Sequence, residues 1–166
     1  MKDLFGNDKM LALSWRQPYA QLMLHGKVET RVWDTSYRGL VLICASQKPY
    51  SEADLFGIAG VAGTQRIFNF LNERGIREVS SKAIAVGRLV STRLMLPSDE
   101  NHCFVKYKEP WIEERKSKKT GITKFVKVKL YCHFYEDVRA IEPFDWKGAQ
   151  GWKKVEQSII DKIKYL

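Results

Sequence analysis

Lys27, Glu29, Arg31 and Trp33 recur at every second position of the run GKVETRVW. Alternate residues of an extended strand share a face, so an ammonium, a carboxylate, a guanidinium and an indole point one way. Val28, Thr30 and Val32 point the other. β-Branched residues suit a buried face. The expectation is a strand with a buried apolar back and a charged front lining a hollow. Same-face positions lie about 6.6 Å apart, so long side chains can converge on one small ligand. Arg31 can hold a phosphate or carbonyl with two bonds, and Glu29 can pair with it or accept from the exocyclic amine of a base. Lys27 can neutralise a phosphate or, if buried, move a proton. A salt-bridged, solvated strand face shows the same alternation, and spacing alone favours that plainer reading.

Other candidates surround this strand. Arg16-Gln17-Pro18-Tyr19 stands at a strand-to-helix junction, where free amides could seat a phosphate with Arg16 and Gln17 as donors. Equally, Pro18 simply starts the helix and Tyr19 packs on Met23. Tyr37 and Arg38 form an aromatic-basic pair in a loop, suited to stacking on a base and touching a phosphate. The loop Lys147-Gly148-Ala149-Gln150-Gly151-Trp152 lets backbone approach a ligand, with Gln150 as a polar contact. It lacks the spacing of a phosphate loop, and Trp152 is more often a core anchor. His25, His102 and His133 are scattered, and no GxSxG or HExxH occurs. Cys44, Cys103 and Cys132 are odd in number and lack CxxC spacing. Neither a metal site nor a cofactor is expected, and an intracellular, cytoplasmic home fits the free thiols.

The chain must build elements that hold these groups. With 45% hydrophobic residues among 166, it can fill one core, and no apolar run approaches ~18 residues, so no membrane span is expected. The N-terminus lacks an apolar signal core. Residues 10–14 read as a strand, and Pro18 to Gly26 as a helix of about two turns. A charged strand follows, then a turn through Asp34, Ser36 and Gly39. Residues 40–45, apolar on both faces, read as a central strand. Residues 51–60 and 64–74 read as helices, with Thr64 as N-cap and Gly75 as stop signal. Residues 83–96 read as a long strand in which Gly87 marks a bend or close approach. A loop over 98–102 precedes a strand pair around Lys118-Lys119-Thr120-Gly121. Strands over 131–135 and 138–142 follow, the second broken by Pro143. Trp152, Val155, Ile159, Ile160 and Ile163 suggest an amphipathic C-terminal helix. Strands with inserted helices, without regular βαβ alternation, favour α+β with a curled sheet or small barrel.

The formal charge of +9 is uneven: residues 106–129 hold nine Lys/Arg against three Glu, a net +6. Such a block is usually a solvated surface. With Tyr107, Trp111 and Phe125 interleaved it also has the footprint of a nucleic-acid contact, in which Lys118 and Lys119 occupy the tip.

LSWRQPYA, then GKVETRVW, then T-x-x-RG and an apolar strand, together resemble the opening of ASCH domains, a PUA-like group related to a cointegrator of transcription. Leu13, Ser14, Arg16, Gln17, Pro18, Tyr19 and Ala20 fill the first part of that pattern. Gly26, Lys27, Glu29, Arg31, Trp33, Thr35, Arg38 and Gly39 fill the second. The likeness covers residues 11–46 strongly and 131–155 moderately, and fades between 97 and 129. It implies a single ASCH/PUA-like domain over 1–166, with a basic insertion at 106–129. Its fold would be a small β-barrel of about six strands with flanking helices, and its cleft would be lined by the Lys, Glu and Arg motif. The function so implied is binding of RNA, another nucleic acid or a nucleotide. The alternative is a hydrolase, since some small relatives act on acylated cytidine and others cleave RNA. Lys27, Glu29 and Thr30 would then be the catalytic candidates. Lys27 stands two residues before Glu29, where the family pattern has three. Strand parity points Thr30 away from Lys27, so acyl transfer lacks a positioned nucleophile unless a bulge re-aims it.

Overall fold

The run GLVLICA, apolar at almost every position, forms β3 (Gly39–Ala45) in the interior of a six-stranded sheet. Val41, Ile43 and Ala45 enter one hydrophobic cluster while Leu42 and Cys44 enter another, so both faces of the strand are covered. The computed structural model describes residues 9–74 and 79–166. The stop signal at Gly75 and the N-terminal residues 1–8 lie outside the described residues.

Beside β3 lie β1 (Met10–Trp15), parallel, and β4 (Lys82–Leu94), antiparallel. The sheet continues through β7 (Tyr131–Asp145) to the short edge strand β2 (Glu29–Arg31), and β8 (Lys153–Lys154) pairs with the outer side of β1. Three register shifts between β4 and β7, and one between β3 and β4, bend the strands. Gly87 lies at one of them because a Cβ there would sit 3.0 Å from Val138 Cγ2. The result is an α+β fold with a sheet curled into a half-barrel. The curl carries β2 back towards β1. Arg31 Nη2 donates to the Ser14 carbonyl at 3.1 Å, and Trp33 meets Trp152 edge to face at 5.7 Å.

The helices are shorter or more broken than the sequence suggests. α1 (Tyr19–Met23) has five residues, and Pro18 is its N-cap rather than its first helical residue. The segment Glu52–Arg74, α2, is two helical runs meeting at Gly60, whose φ of 73° and ψ of 174° are open to glycine alone. Thr64 does not cap the second run: its hydroxyl donates to the Gly60 carbonyl at 2.8 Å from within the helix. The expected loop at 98–102 is a 3₁₀ turn followed by α3 (Glu100–Cys103), because the Asp99 carboxylate accepts the Leu96 N–H at 2.8 Å. β7 runs unbroken past Pro143, which lies where the pairing with β4 shifts, so its missing N–H costs no ladder bond.

The amphipathic C-terminal helix reduces to α4 (Gln157–Ile160). Ile159, Ile160 and Ile163 still pack against the sheet. The chain must also reach from β8 to Tyr165, which bridges to Ile141, and a continuous helix could not satisfy both ends. The basic segment folds as β5 (Trp111–Lys116) and β6 (Thr123–Val128), an antiparallel pair forming its own two-stranded sheet. Among the described residues no helix is long and apolar enough to cross a membrane.

Candidate functional site

The charged face of β2 is the buried one. Lys27 and Glu29 are almost fully enclosed and Arg31 half so, whereas Val32, expected inside, is 47% exposed. The alternation holds and the charged front lines a cavity, but this front is more deeply enclosed than the back, where Val28 and Thr30 are half-buried and Val32 is exposed. The curled sheet places this edge strand with its polar side against β1 and α1, and Val28 packs beneath with Met95, Cys103 and Cys132.

Glu29 is the centre of a triad. Its Oε2 accepts from Lys27 Nζ at 2.9 Å, and its Oε1 lies 2.8 Å from Arg31 Nε. The second contact is an ion pair rather than a well-aimed hydrogen bond, since the Nε hydrogen finds no acceptor in good geometry. Burial by itself would raise the Glu29 carboxyl, but the Lys27 ammonium and the Arg31 guanidinium reverse this and hold it below the usual range. Lys27 Nζ also donates to the Val28 carbonyl at 2.9 Å and lies 4.9 Å from the centre of the Tyr19 ring. Tyr19 in turn donates its hydroxyl to the Phe104 carbonyl at 2.7 Å, and burial pushes its pKa up, so it stays a neutral wall.

These groups border a cavity of about 400 Å³ whose lining includes Trp15, Arg16, Tyr19, Tyr50 and Val105. Three cations and one carboxylate line it; Arg16 pairs with Asp54 at 3.6 Å, and the triad of Lys27, Glu29 and Arg31 leaves a surplus of one positive charge. A larger hollow of about 820 Å³ shares Ser14 with it and is walled by residues 145–150 and Ser46–Gln47. It brings only Asp145 and Lys147 as charges, and Asp145 already pairs with Lys82 at 2.6 Å. The chemistry concentrates in the smaller cavity.

The remaining sequence candidates divide. Arg16 reaches the cavity, but its Nε and Nη2 donate to the Lys48 and Pro49 carbonyls at 3.1 and 2.8 Å while it stacks 3.9 Å over Tyr50. Gln17 is not a ligand donor: it is sealed inside, donating to the Val79 carbonyl at 2.9 Å and accepting the Gln21 N–H at 3.0 Å. That acceptor takes up one of the helix amides a phosphate would need. Trp33 and Tyr37 stack on Trp152 rather than standing free, and the Tyr37 hydroxyl donates to the Leu40 carbonyl at 2.6 Å. Arg38 is committed to the Thr35 and Tyr37 carbonyls and to the Thr92 hydroxyl. Gln150 lies on the larger hollow, and Lys118 and Lys119 sit at the exposed hairpin tip. Thr30 borders the cavity, yet its hydroxyl turns towards the Cys103 thiol, buried and without a well-placed partner.

Several residues at the site escape the sequence reading. Trp15 stacks under the Arg31 guanidinium at 5.1 Å, and Tyr135 meets Trp15 edge to face at 6.0 Å. The Tyr135 hydroxyl is buried with no hydrogen-bond partner among the described residues, and the Trp15 indole N–H, which helps hold the Glu29 carboxyl down, lacks one in good geometry. His133 stands opposite Glu29 across the β2–β7 ladder and donates from Nε2 to the Trp33 carbonyl at 3.0 Å. Its enclosure lowers its pKa and keeps it neutral. Tyr135 and His133 come from the far half of the chain, and only strand pairing brings them here. A scan against protein-family models gives no match to this chain, and a search of curated proteins gives none either.

Proposed function

We propose that the chain is an ASCH, PUA-like domain that binds RNA, another nucleic acid or a nucleotide in the cleft beside Lys27, Glu29 and Arg31. The observation that carries this reading is the buried ion triad on the wall of a cavity with surplus positive charge and aromatic sides. A phosphate would meet Arg31, whose side chain is 22% exposed and is the accessible member of the triad. Glu29 holds the two cations at fixed positions and so pre-orders the seat.

The hydrolase reading draws less support. The Lys27 ammonium is already engaged by Glu29 and the Val28 carbonyl, and the Thr30 hydroxyl is turned to the cysteine side. Fluorescence titration with a labelled single-stranded RNA and with nucleoside monophosphates tests the proposal. Affinity for the RNA should fall ~10³–10⁵-fold between 50 and 200 mM salt if six to ten phosphates are engaged. Arg31→Ala should weaken mononucleotide binding. Binding that is undetectable for both probes, or indifferent to salt for the RNA, would refute it.

A further inference from the structure

The hairpin β5–β6 sorts its residues by face. Trp111, Glu113 and Arg115 share one side with Lys124, Val126 and Val128, and this side leans inward, with Val128 buried. Glu113 is neutralised within that side, accepting from Trp111 Nε1 at 2.9 Å and from Arg115 Nη2 at 3.0 Å. Lys108 covers the Trp111 ring at 4.0 Å, so this indole is not free to stack on anything else. The opposite side carries Ile112, Glu114, Lys116, Thr123, Phe125 and Lys127. Phe125 is 74% exposed and Ile112, diagonal to it, is 62% exposed.

We infer that this outward face is a stacking platform for unpaired bases of a single-stranded nucleic acid. The inference rests on the proposed nucleic-acid function and gives it a second contact surface. A bare phenylalanine on a strand offers a flat apolar face at low entropic cost, and every base has a matching face. Glu114 faces Phe125 directly across the ladder, Lys127 follows Phe125 on its own strand and Lys116 lies diagonally across, while Lys118 and Lys119 continue the positive charge to the tip. Lys116 and Lys127 stand at opposite corners of the face, about 13 Å apart along the hairpin, so a backbone laid across it meets one ammonium group on each side of Phe125. A protein partner fits poorly. Interface cores are depleted in Lys and Glu, and two apolar side chains set among Glu114, Lys116 and Lys127 make no such core. A duplex fits poorly too, because its bases present no free face to the ring.

The tip is held in shape for this role. Ser117 N–H donates to the Ile122 carbonyl and Gly121 N–H to the Ser117 carbonyl, both at 2.9 Å, while Gly121 takes a φ of 68°. The lysines at the turn are therefore presented by a fixed hairpin.

The test uses the full chain and four probes: a labelled 12-nucleotide single-stranded RNA, the single-stranded DNA of the same sequence, a blunt duplex of that RNA, and cytidine monophosphate. Phe125→Ala should weaken single-stranded binding roughly 5- to 100-fold, leave cytidine monophosphate binding unchanged, and keep the salt slope. Phe125→Tyr should restore the affinity. Lys127→Ala should lower the salt slope by about one. Phe125→Ala that binds the single strands like wild type, while Arg31→Ala loses cytidine monophosphate, overturns the platform and leaves the cleft reading standing. Wild type that binds none of the four probes overturns both. A hairpin variant that changes self-association in sedimentation but not strand binding makes the face a protein contact and also overturns the inference.

Discussion

Replacing Glu29 by Gln keeps its shape and removes the one negative charge in the triad. Lys27 is then stranded, with a side chain only 1% exposed. Removing one partner of a buried ion pair costs about 3–5 kcal/mol, because the other charge is left uncompensated out of water. Here the low end applies. Lys27 Nζ keeps the Val28 carbonyl at 2.9 Å and the Tyr19 ring, and Arg31 keeps the Ser14 carbonyl and some solvent. Glu29→Gln should therefore cost about 3 kcal/mol, a fall of roughly 6–12 °C in Tm for a chain of this size. Lys27→Met should cost less, about 1–2 kcal/mol, since Glu29 retains Arg31 at 2.8 Å. The double variant buries neither charge and should cost about 2 kcal/mol, well below the sum of the singles. Urea unfolding of all four proteins at pH 7 closes the cycle. A Glu29→Gln cost below about 1 kcal/mol, or strict additivity, would refute the claim that the pair is buried and mutually dependent. The same assay carries a pH signature. The folded-state pKa of Glu29 is depressed, so its contribution is present above its ordinary value of 4.5 and is lost as pH falls below it. Wild type should lose stability on acidification that Glu29→Gln does not lose.

Gly60→Ala should destabilise by about 1–3 kcal/mol from backbone strain alone. Its φ of 73° and ψ of 174° admit only glycine, although the nearest side-chain atom, Lys106 Cδ, is a harmless 3.8 Å from the added Cβ. Thermal unfolding checks this, and an unchanged Tm would count against the kink. Arg93 clamps Asp99 with two bonds of 2.7 and 2.9 Å and, with the hydrogen bond from Leu96, depresses its pKa from 3.8 to about 2. At full strength that shift is worth about 2 kcal/mol, and about 1 kcal/mol once screening is allowed for, because the Arg93 side chain is 44% exposed. This stability is present above about pH 4 and disappears as pH falls through about 2. Asp99→Asn should accordingly cost about 1 kcal/mol at pH 6 and almost nothing at pH 2; a penalty equal at both would contradict the pairing.

What the sequence revealed, and what it hid, follows from the range of the interactions involved. β3, the basic hairpin and the close approach at Gly87 are legible because each depends on local pattern: an apolar run, a Lys-Lys-Thr-Gly turn between alternating strands, a glycine inside a β-rich segment. The C-terminal segment is not, because Ile159, Ile160 and Ile163 recur at helical spacing while the segment must also pair at both ends. Period identifies an apolar side but says nothing of tethers. The same limit explains β2. Alternation put Lys27, Glu29 and Arg31 on one side correctly. Which side is enclosed depends on where a curled sheet turns its edge, and that is set by bulges between β4 and β7, more than fifty residues away in sequence. Gln17 shows the converse. A polar residue in a promising motif can serve the fold alone, here by tying α1 to the Val79 carbonyl across 62 positions.

On the proposed binding reading, the depth of the charged face changes how the site would work. On a solvated strand the two cations would be mobile and hydrated, and a ligand would have to order them. Enclosed, they are already desolvated and aligned by Glu29, so that cost is met during folding rather than on binding. An incoming anion need not displace Glu29 to be attracted, because the cavity retains an excess of positive charge after the triad is formed. It would lie against Arg31, the one member that still reaches water, while Lys27 acts from behind as fixed charge. Truncating Arg31 should then affect ligand binding more than fold stability, and truncating Glu29 should do the reverse.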